Sequence, residues 1–443
     1  MDDFFLRRCC SRGIRSTVRR ALLSLGAGSA PCGPPQAVDS LFLPPEPAAD
    51  LPSAPHRVLY LIHSFFPESQ GGTEAFLARL SASQSALGNT VCILTFSSGF
   101  LWEYPEKQGD FLVRRYEWAG VPVIAVRYRH PPAGLFYERI SDADAAQTAF
   151  ARRFLSDFQP DLVHAVYPQP FGSFLRVCRE TGVPYLLTLT DFCMLCPRGT
   201  LTENGCLPCS YSGHGARCPG NVRVRFAAAE RTIRGAAAAA VPSLFSAERF
   251  AAELPGLQPC IIPHAPEPGI LYRRRSAVRR FAFLGTWTPA KGAALLANAF
   301  HHLPGSISLD IYGGGPLEPF LRVRSLQDSR IRLHGPVSRE SLPRCYDQAD
   351  CVVVPSQCAE SFSLTLNEAA AAGCMVIASD LGALPQRALA ANGSVFLAGD
   401  EDSLLRTLQR AIAAPSFPAE PPAIFPEAET AAYEKLYCKA VHP

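Results

Sequence analysis

A regular pattern of apolar runs separated by helical segments constrains the fold of this chain more than any other feature. The pattern starts near residue 56 with the runs RVLYLIHSF, TVCILTF, VPVIAVRY, DLVHAVY and VPYLLTLTD. It starts again near residue 280 with the runs FAFLGTW, SISLDIYGGG, RIRLHGPV, DCVVVPS and CMVIASD. Strands that are apolar on both faces and alternate with helices are typical of parallel sheets covered on both sides. The sequence therefore predicts an α/β fold with two consecutive doubly wound, Rossmann-like domains.

The breaks in this pattern predict the domain boundaries. Residues 1–54 form a basic extension that becomes rich in Pro, Ala and Gly, and residues 55–265 form the first domain. A linker, 266–279, leads to the second domain, 280–420, and a helical segment, 421–443, ends the chain. A chain of 443 residues is too long for one ordinary core, which agrees with two domains.

Composition and charge exclude several classes of protein. Hydrophobic residues make up 48% and charged residues 18%, which is typical of a globular chain, and the net charge of +3 predicts no nucleic-acid partner. No apolar run has the length of a membrane span, and arginines interrupt the place where a signal peptide would be apolar. We therefore expect a cytoplasmic protein, with the inner face of the membrane as the place of any membrane contact.

The N-terminal extension has two interpretations. Its arginines lie beside Phe, Ile, Val and Leu, which fits a basic amphipathic helix on an anionic membrane surface. A solvated, disordered tail is the alternative, because Gly13 weakens a helix and the segment is short. The arginines concerned are Arg7, Arg8, Arg12, Arg15, Arg19 and Arg20.

A loop at residues 193–218 concentrates five of the sixteen cysteines. They form two C-x2-C pairs and one further cysteine, namely Cys193, Cys196, Cys206, Cys209 and Cys218. Two such pairs are typical of a structural zinc site, in which the first four cysteines would be the ligands and Cys218 an alternative one. An iron–sulfur cluster and a set of free thiols are the other readings. Because the loop follows Thr190 and Asp191, we expect it to shape the acceptor side of a site.

Polar and glycine-rich loops follow several strands of the second domain, at the edge where such folds bind ligands. Lys291 lies at a helix start, and the glycines of IYGGGP would let a ligand approach the backbone closely. Glu360 and Glu368 flank the start of another helix. A cation suits a pyrophosphate and a carboxylate suits ribose hydroxyls, so the set predicts a nucleotide site. The structural alternative is a capping box formed by Thr365 and Glu368.

The order of these motifs resembles a known family. FLGTWTPAKG, IYGGGP, HGPVSRESLPRCYDQADCVVVPS and ESFSLTLNEAAAAGCMVIASD resemble the donor domain of the family 4 retaining glycosyltransferases, which have the GT-B architecture. The Glu-x7-Glu spacing of Glu360 and Glu368 is the most specific part of the match. GGTE at residues 71–74 is similar to the family's first glycine loop, and YEKLY near the C-terminus to its helix that crosses back to the first domain.

The resemblance implies a role for each matching residue. Glu360 would lie against the transferred sugar, Lys291 would hold the pyrophosphate, and Glu368 would bind the ribose. Asp191 would act at the reaction centre, with Thr190 on the acceptor side. The remaining donor-binding positions would be Gly71, Gly72, Gly285, Thr286, Val337, Phe362, Ser363 and Leu364. The implied reaction is hexosyl transfer with retention, from a UDP- or GDP-sugar to a glycan or lipid-linked acceptor, with no cofactor required for transfer.

Four positions depart from the family's pattern. Thr286 replaces an arginine, Ser363 a glycine, Gln386 a glutamate and Thr190 a histidine that touches the sugar in relatives. These departures keep open a catalytically inactive relative that binds a nucleotide or glycan. A nucleotide-sugar epimerase or a phosphorylase on the same architecture is a further alternative. The function expected is surface polysaccharide or glycoconjugate synthesis.

Overall fold

Two sheets organise the protein. The computed structural model describes residues 56–97, 99, 106–132, 140–197, 199–201, 222–414 and 426–442. The predicted N-terminal extension and three of the five clustered cysteines, Cys206, Cys209 and Cys218, lie outside these residues.

The first sheet holds nine described strands. They are β1 (Arg57–Ile62), β2 (Thr90–Phe96), β3 (Glu106–Gln108), β4 (Phe111–Trp118), β5 (Val121–Tyr128), β6 (Leu162–Ala165), β7 (Tyr185–Thr188), β8 (Ala238–Val241) and β9 (Cys260–Ile261). Their order is β3-β4-β5-β2-β1-β6-β7-β8-β9. From β5 to β9 every neighbouring pair is parallel, as the continuous apolar runs predict.

One edge of the first sheet is antiparallel, which the prediction of parallel sheets did not include. Both β3–β4 and β4–β5 pair in opposite directions. The strand β4, FLVRRYEW, alternates buried and more exposed positions at its start, as expected of a sheet edge that faces water on one side. Ala119 and Gly120 join β4 to β5 with φ values of +49° and +79°, the backbone of a tight two-residue hairpin turn.

The second sheet is parallel throughout its described strands. They are β10 (Arg280–Leu284), β11 (Ser308–Tyr312), β12 (Ile331–Gly335), β13 (Cys351–Val354), β14 (Met375–Ser379) and β15 (Ser394–Phe396). Their order, β12-β11-β10-β13-β14-β15, reverses direction at β10 and β13. In α/β sheets, ligands bind beyond the carboxyl ends of strands at such a switch point.

Twelve described α-helices cover the sheets. In the first domain they are α1 (Gly72–Ala86), α2 (Ala145–Phe158), α3 (Gly172–Thr181), α4 (Val222–Arg234) and α5 (Leu244–Glu253). In the second they are α6 (Ala293–His301), α7 (Glu318–Gln327), α8 (Leu342–Gln348), α9 (Leu364–Ala371), α10 (Leu384–Ala390) and α11 (Glu401–Ala413). The last is α12 (Pro426–Val441). Among the helices that the structure describes, none combines the length and apolar character needed to cross a membrane.

Helix α12 returns from the second domain to pack on the first, as the YEKLY segment predicts. The hydroxyl of Tyr437 lies 2.8 Å from Nδ1 of His164 and 3.1 Å from the hydroxyl of Tyr60. The hydroxyl of Tyr433 lies 3.0 Å from Thr188 Oγ1, which is itself 2.7 Å from Nε2 of His164. These buried hydrogen bonds satisfy polar groups that would otherwise be costly inside a core. The expected α/β fold of two Rossmann-like domains with a crossover helix is thereby confirmed.

Candidate active site

The loops at the carboxyl ends of the strands of both sheets enclose one cleft. Its cavity measures about 530 Å³ and is lined from both domains. Every site residue predicted outside the cysteine cluster lines it: Gly71, Gly72, Thr190, Asp191, Gly285, Thr286, Lys291, Val337, Glu360, Phe362, Ser363, Leu364 and Glu368. Residues separated by almost 300 positions in the sequence therefore meet at one place. Their individual roles stay predictions.

Lys291 and Glu360 form an ion pair within the cleft. Lys291 Nζ lies 2.6 Å from Glu360 Oε1, and the Ser356 hydroxyl donates to the same oxygen at 2.6 Å. Burial opposes ionisation of Glu360, but the Lys291 ammonium outweighs it and lowers the pKa of the carboxyl. Burial also works against the charge on Lys291, yet Glu360 raises the pKa of the ammonium. Both groups are therefore charged at neutral pH.

Glu368 points into the cleft from the middle of α9. The hydroxyl of Tyr346 donates a hydrogen bond of 2.7 Å to Glu368 Oε2. Burial raises the pKa of Glu368, although Tyr346 and the guanidinium groups of Arg339 and Arg79 act in the opposite direction. One donor thus holds this carboxylate in place, and a ligand that supplied further donors would stabilise its charged form.

The structural alternative, a capping box of Thr365 and Glu368, is not what this helix start contains. Helix α9 begins at Leu364, and its N-cap is Ser363, whose Oγ accepts from the amide of Leu366 at 3.3 Å. Thr365 instead donates to the carbonyl of Leu284 at 3.3 Å, and the carboxylate of Glu368 accepts from a tyrosine rather than from the helix start. The capping function is met by a residue two positions earlier, which leaves Glu368 free of a helix-capping role.

Ser363 has an unusual backbone conformation. Its φ is +70° and its ψ is +96°, in a region that favours glycine. This is the position at which the resembling family carries glycine, and a serine side chain here strains the backbone. Ser363 and the first residues of α9 line the cleft, and a helix N-terminus favours an anion.

Two glycine-containing loops meet beneath the donor side of the cleft. Gly285 and Thr286 follow β10, and Gly313 follows β11 with a φ of +133°. A Cβ atom at Gly313 would lie 1.9 Å from the carbonyl oxygen of Gly285, so only glycine allows this approach. The loops therefore leave backbone rather than side chains at the cavity wall.

The first domain contributes the opposite wall. Gly71 is the N-cap of α1, and a Cβ on Gly72 would lie 3.2 Å from Leu364 of the second domain. Thr190 Oγ1 accepts a hydrogen bond of 3.1 Å from the Thr73 hydroxyl. The carboxylate of Asp191 accepts from the amide of Cys193 at 2.8 Å. Burial raises the pKa of Asp191 despite that hydrogen bond.

His63 brings an imidazole to the side of Asp191, although the residue before Asp191 is not a histidine. It follows β1, and its ring centroid lies 3.9 Å from that of Tyr167. Burial lowers the pKa of His63, while the charges of Glu74 and Asp191 oppose this. Nδ1 of His63 is buried without a hydrogen-bond partner among the described residues. No motif in the sequence signals this proximity.

The loop between the two glutamates also joins the domains. The hydroxyl of Ser361 donates to the carbonyl of Thr190 at 2.5 Å, and its own carbonyl accepts from Ser243 at 2.5 Å. The amide of Ala359 donates to the carbonyl of Thr200 at 3.3 Å. Glu360 is therefore placed by contacts with both domains.

Comparison with known proteins agrees with this geometry. The model "Glycosyl transferase 4-like domain" matches residues 71–263, and the model "Glycosyl transferases group 1" matches residues 278–414. The chain therefore contains a glycosyltransferase 4-like domain followed by a glycosyltransferase group 1 domain. The two models match the first and the second Rossmann-like domain in turn. This agrees with the GT-B architecture that the sequence resemblance implies.

Individual relatives are more distant. The D-inositol 3-phosphate glycosyltransferase of Xylanimonas cellulosilytica is 37% identical over 110 residues, which cover 23% of this chain and 26% of that protein. The chain thus matches about a quarter of the length of such curated relatives. Sucrose-phosphate synthase from Thermosynechococcus elongatus superposes with a TM-score of 0.61 at 18% identity, covering 87% of this chain and 93% of its own. HepE from Anabaena in complex with UDP superposes with a TM-score of 0.59 at 15% identity, covering 86% of this chain and 95% of its own. At these identities the structures show the shared fold.

The cleft contains a second cation that sequence reasoning missed. Arg339 follows β12, lines the cavity and pairs with Glu267. Burial lowers the pKa of its guanidinium, and the nearby charge of Glu368 opposes that shift. The only signal in the sequence is its position after a strand end, in HGPVSRES.

A chain of contacts behind the donor glutamates was also missed. Arg387 stacks on Phe362, with its guanidinium carbon 3.5 Å from the ring centroid, and burial lowers its pKa to about 9. Arg387 donates to the side-chain oxygen of Asn367 at 2.9 Å, and Asn367 donates to the carbonyl of His264 at 3.0 Å. Nδ1 of His264 in turn lies 3.2 Å from Oε1 of Glu429 on α12. These contacts connect the crossover helix to the Glu360 loop.

The cysteine prediction is only partly within the described residues. Cys193 and Cys196 are buried next to Asp191, and Cys206, Cys209 and Cys218 lie outside the described ranges. The guanidinium of Arg225 donates to the carbonyl of Cys193, and its Nε has no hydrogen-bond partner among the described residues. A buried cation with a spare donor beside two cysteines fits thiolate ligands, and the metal site stays a prediction.

Proposed function

We propose that this protein is a retaining hexosyltransferase that uses a UDP- or GDP-sugar. The observation that carries the proposal is the convergence of Lys291, Glu360, Glu368 and the N-terminus of α9 on one cavity between the domains. A nucleoside diphosphate sugar needs a positive site for its pyrophosphate and acceptors for its ribose hydroxyls, and these groups supply both.

The donor is placed from the second domain in this scheme. Glu368 accepts from the ribose hydroxyls, and the amides of Ser363 and Leu364 face the pyrophosphate. The base lies against the loop that carries Val337. Solved HepE structures hold UDP and UDP-glucose in a similar fold, which supports a uridine nucleotide as the first candidate to test.

Lys291 changes partners during the reaction. In the structure its ammonium is paired with Glu360, and a bound pyrophosphate would compete for it. As the bond between the anomeric carbon and the phosphate oxygen breaks, its electron pair passes to the departing nucleoside diphosphate, which Lys291 stabilises. The acceptor hydroxyl forms the new glycosidic bond on the same face, and its proton passes to the departing phosphate oxygen. Glu360 stays beside the sugar, held by Ser356. No cofactor is needed for these steps.

The acceptor enters from the first domain. Thr190 and Asp191 lie at its wall of the cavity, beside the cysteine loop. We propose a glycan or lipid-linked acceptor, in keeping with surface polysaccharide or glycoconjugate synthesis. The basic N-terminal sequence would hold the enzyme at the inner face of an anionic membrane.

A structural zinc in the cysteine loop is a separate proposal. Cys193 and Cys196 would be two of its thiolate ligands, Cys206 and Cys209 the others, and Arg225 would offset their negative charge. The zinc would order the acceptor-side loop and take no part in transfer. Metal analysis of wild type and a Cys193→Ser/Cys196→Ser variant tests it, since loss of a zinc equivalent is expected.

Calorimetric binding of UDP, GDP and ADP, each alone and as a glucose conjugate, tests the proposed function. We expect one nucleotide to bind selectively and the affinity to fall at least tenfold in Glu368→Gln, because ribose hydrogen bonds to a charged acceptor are lost. Glu318→Gln, on the exposed surface of α7, is the matched control. The anomeric configuration of a product, read by NMR, tests retention.

Three results would overturn the proposal. A folded wild type that binds no nucleotide would support an inactive relative. Conversion of a free nucleotide-sugar into its epimer would indicate an epimerase. Equal binding by wild type and Glu368→Gln would remove Glu368 from the donor site.

A further inference from the structure

A buried group of metal-binding side chains lies outside the cleft, between the start of β1 and helix α12. His56 directly precedes β1, and Glu434 and Cys438 lie one turn apart on α12. Their candidate ligand atoms all lie within 4.8 Å of one another. None of the three lines the active-site cavity, so the proposed transfer reaction gives them no role.

The side chains converge on a single nitrogen. Glu434 Oε1 lies 3.9 Å from Nε2 of His56, and Cys438 Sγ lies 3.8 Å from the same atom. In a catalytic relay of thiol, imidazole and carboxylate, the two partners contact opposite ring nitrogens. Here both approach one nitrogen, which does not fit a relay but fits three donors directed at a shared point.

The surroundings orient these groups. The side-chain oxygen of Asn89 accepts from the His56 amide at 2.8 Å, and its nitrogen donates to Glu434 Oε2 at 3.3 Å. A second donation, to Gln84 at 2.6 Å, holds the Asn89 amide itself. Oriented neighbours of this kind are a common feature of metal sites. The side chain of Glu434 is only 7% exposed, and a buried carboxylate favours a nearby cation.

We propose that His56, Glu434 and Cys438 bind a Zn²⁺ ion that fastens α12 to the first domain. One nitrogen, one oxygen and one sulfur form a donor set that suits zinc. Around a tetrahedral zinc such atoms lie roughly 3.3–3.6 Å apart. The carboxylate and thiol atoms, now 3.9 Å and 3.8 Å from Nε2, would move closer to it, and all three atoms already lie within 4.8 Å of one another. Cys438 is partly exposed, which gives an entry path and a place for water as the fourth ligand.

Zinc titration of the full-length, reduced protein tests this site. After removal of metal with a chelator, we expect Glu434→Gln and Cys438→Ser each to bind one zinc equivalent fewer than wild type. Cys260→Ser, which removes an exposed thiol on β9, is the matched control and should bind as wild type does. Asn89→Ala should keep the site but weaken its affinity about 10–100-fold, because it removes the orienting amide.

The design separates this zinc from any bound by the loop at residues 193–218. Glu434→Gln removes no thiol, so a change in its stoichiometry cannot come from the cysteine loop. Cobalt substitution gives a second readout, since the proposed site adds the sulfur-to-metal absorption of one thiolate. This absorption should disappear in Cys438→Ser and in Glu434→Gln, and it should persist in Cys260→Ser. Zinc should also raise the unfolding temperature of wild type more than that of Glu434→Gln, provided both fold alike by circular dichroism.

Two outcomes would overturn the proposal. One is the same zinc stoichiometry in wild type, Glu434→Gln and Cys438→Ser. The other is a wild type that gains no zinc beyond the equivalent lost in Cys193→Ser/Cys196→Ser. In either case the three side chains would be a hydrogen-bonded contact of α12 with the first domain.

Discussion

The two walls of the cleft are built in different ways. The second domain presents its charged groups with partners: Lys291 is paired with Glu360, and Glu368 with Tyr346. The first domain presents Asp191 in a buried place where its pKa is raised and its neighbour His63 has its pKa lowered. The Lys291–Glu360 pair thus gives the donor wall two fixed charges, whereas burial disfavours the charge of Asp191 on the opposite wall, as it does that of Glu368.

This difference has a functional meaning if the donor binds as proposed. Fixed charges suit a pyrophosphate whose negative charge grows as it leaves. A wall that disfavours ionisation suits neutral hydroxyl groups of a sugar and an acceptor. We therefore expect substitutions on the donor wall to act mainly on turnover and donor affinity. Those on the opposite wall should act on acceptor use and on the pH dependence of stability.

Lys291→Ala should give the largest effect. Removal of the cation that stabilises the leaving group should lower kcat by about 10²–10³, with a smaller change in donor affinity. Glu360 also loses its partner, and this should lower the free energy of unfolding by about 1 kcal/mol, because the Lys291 side chain is 38% exposed. Steady-state kinetics and urea unfolding separate the two effects.

Lys291→Arg is the control for this substitution, since it keeps a positive charge with different geometry. It should recover part of the lost turnover and most of the lost stability. Wild-type turnover in Lys291→Ala would show that the leaving group is stabilised elsewhere, with Arg339 as the nearest described alternative lining the cavity.

Asp191→Asn should separate activity from stability on the opposite wall. We expect transfer to fall about 10–100-fold because a charged group at the reaction centre is lost. The raised pKa means that an ionised Asp191 costs folding free energy at neutral pH, and the cost disappears as the pH falls through that pKa. The variant should therefore be as stable as wild type or more so at pH 7. Its stability should vary less with pH in the acidic range.

Thermal unfolding between pH 4 and 8 measures this, with Asp142→Asn as a comparison. Asp142 is paired with Arg231, which lowers its pKa, so its removal should cost stability above the ordinary carboxyl pKa. If Asp191→Asn also loses stability at pH 7, the carboxylate contributes favourable contacts that outweigh its burial.

The donor wall could be predicted from the sequence because its parts are local. Each of FLGTWTPAKG and ESFSLTLNEAAAAG contains a strand end, a loop and a helix start, so its chemistry follows from a short stretch. Parallel strands then bring these loops to one edge without further information. The same reasoning predicted the two sheets and the return of α12.

Contacts between distant segments could not be predicted. The stacking of Arg387 on Phe362, the pairing of Arg339 with Glu267 and the proximity of His63 to Asp191 depend on how the domains and loops pack. The capping-box alternative fails for a local reason. Thr365 and Glu368 have the spacing of a capping box, but the backbone turn at Ser363 starts the helix elsewhere.

The affinity for a nucleotide-sugar should depend on the ionisation of Glu368. Because burial raises its pKa, Glu368 takes up a proton at a higher pH than an ordinary glutamate. Donor affinity should then fall, up to about tenfold, as the pH decreases through that raised pKa, since a neutral carboxyl is a weaker acceptor.

Calorimetry with an intact nucleotide-sugar is the suitable measurement, because its pyrophosphate has no proton that titrates near neutral pH. Glu368→Gln should bind more weakly and without this pH dependence. A pH profile shared by wild type and Glu368→Gln would assign the titration to another group. The imidazole of His264 also lines the cavity, and burial lowers its pKa.

Substitutions at Ser363 should give the smallest effects and examine the backbone of the donor wall alone. Ser363→Ala removes the hydroxyl that caps Leu366 but keeps the strained φ of +70°, so we expect a loss of about 1 kcal/mol of unfolding free energy. Ser363→Gly also removes the hydroxyl, but it relieves the strain while giving the unfolded chain more freedom. The net relief of strain nearly offsets the loss of the cap, so Ser363→Gly should be about as stable as wild type and about 1 kcal/mol more stable than Ser363→Ala. Equal stability of the two variants, measured by urea unfolding, would mean that the backbone at Ser363 relaxes without cost. The glycine that the resembling family carries at this position would then be explained by the close approach of a ligand.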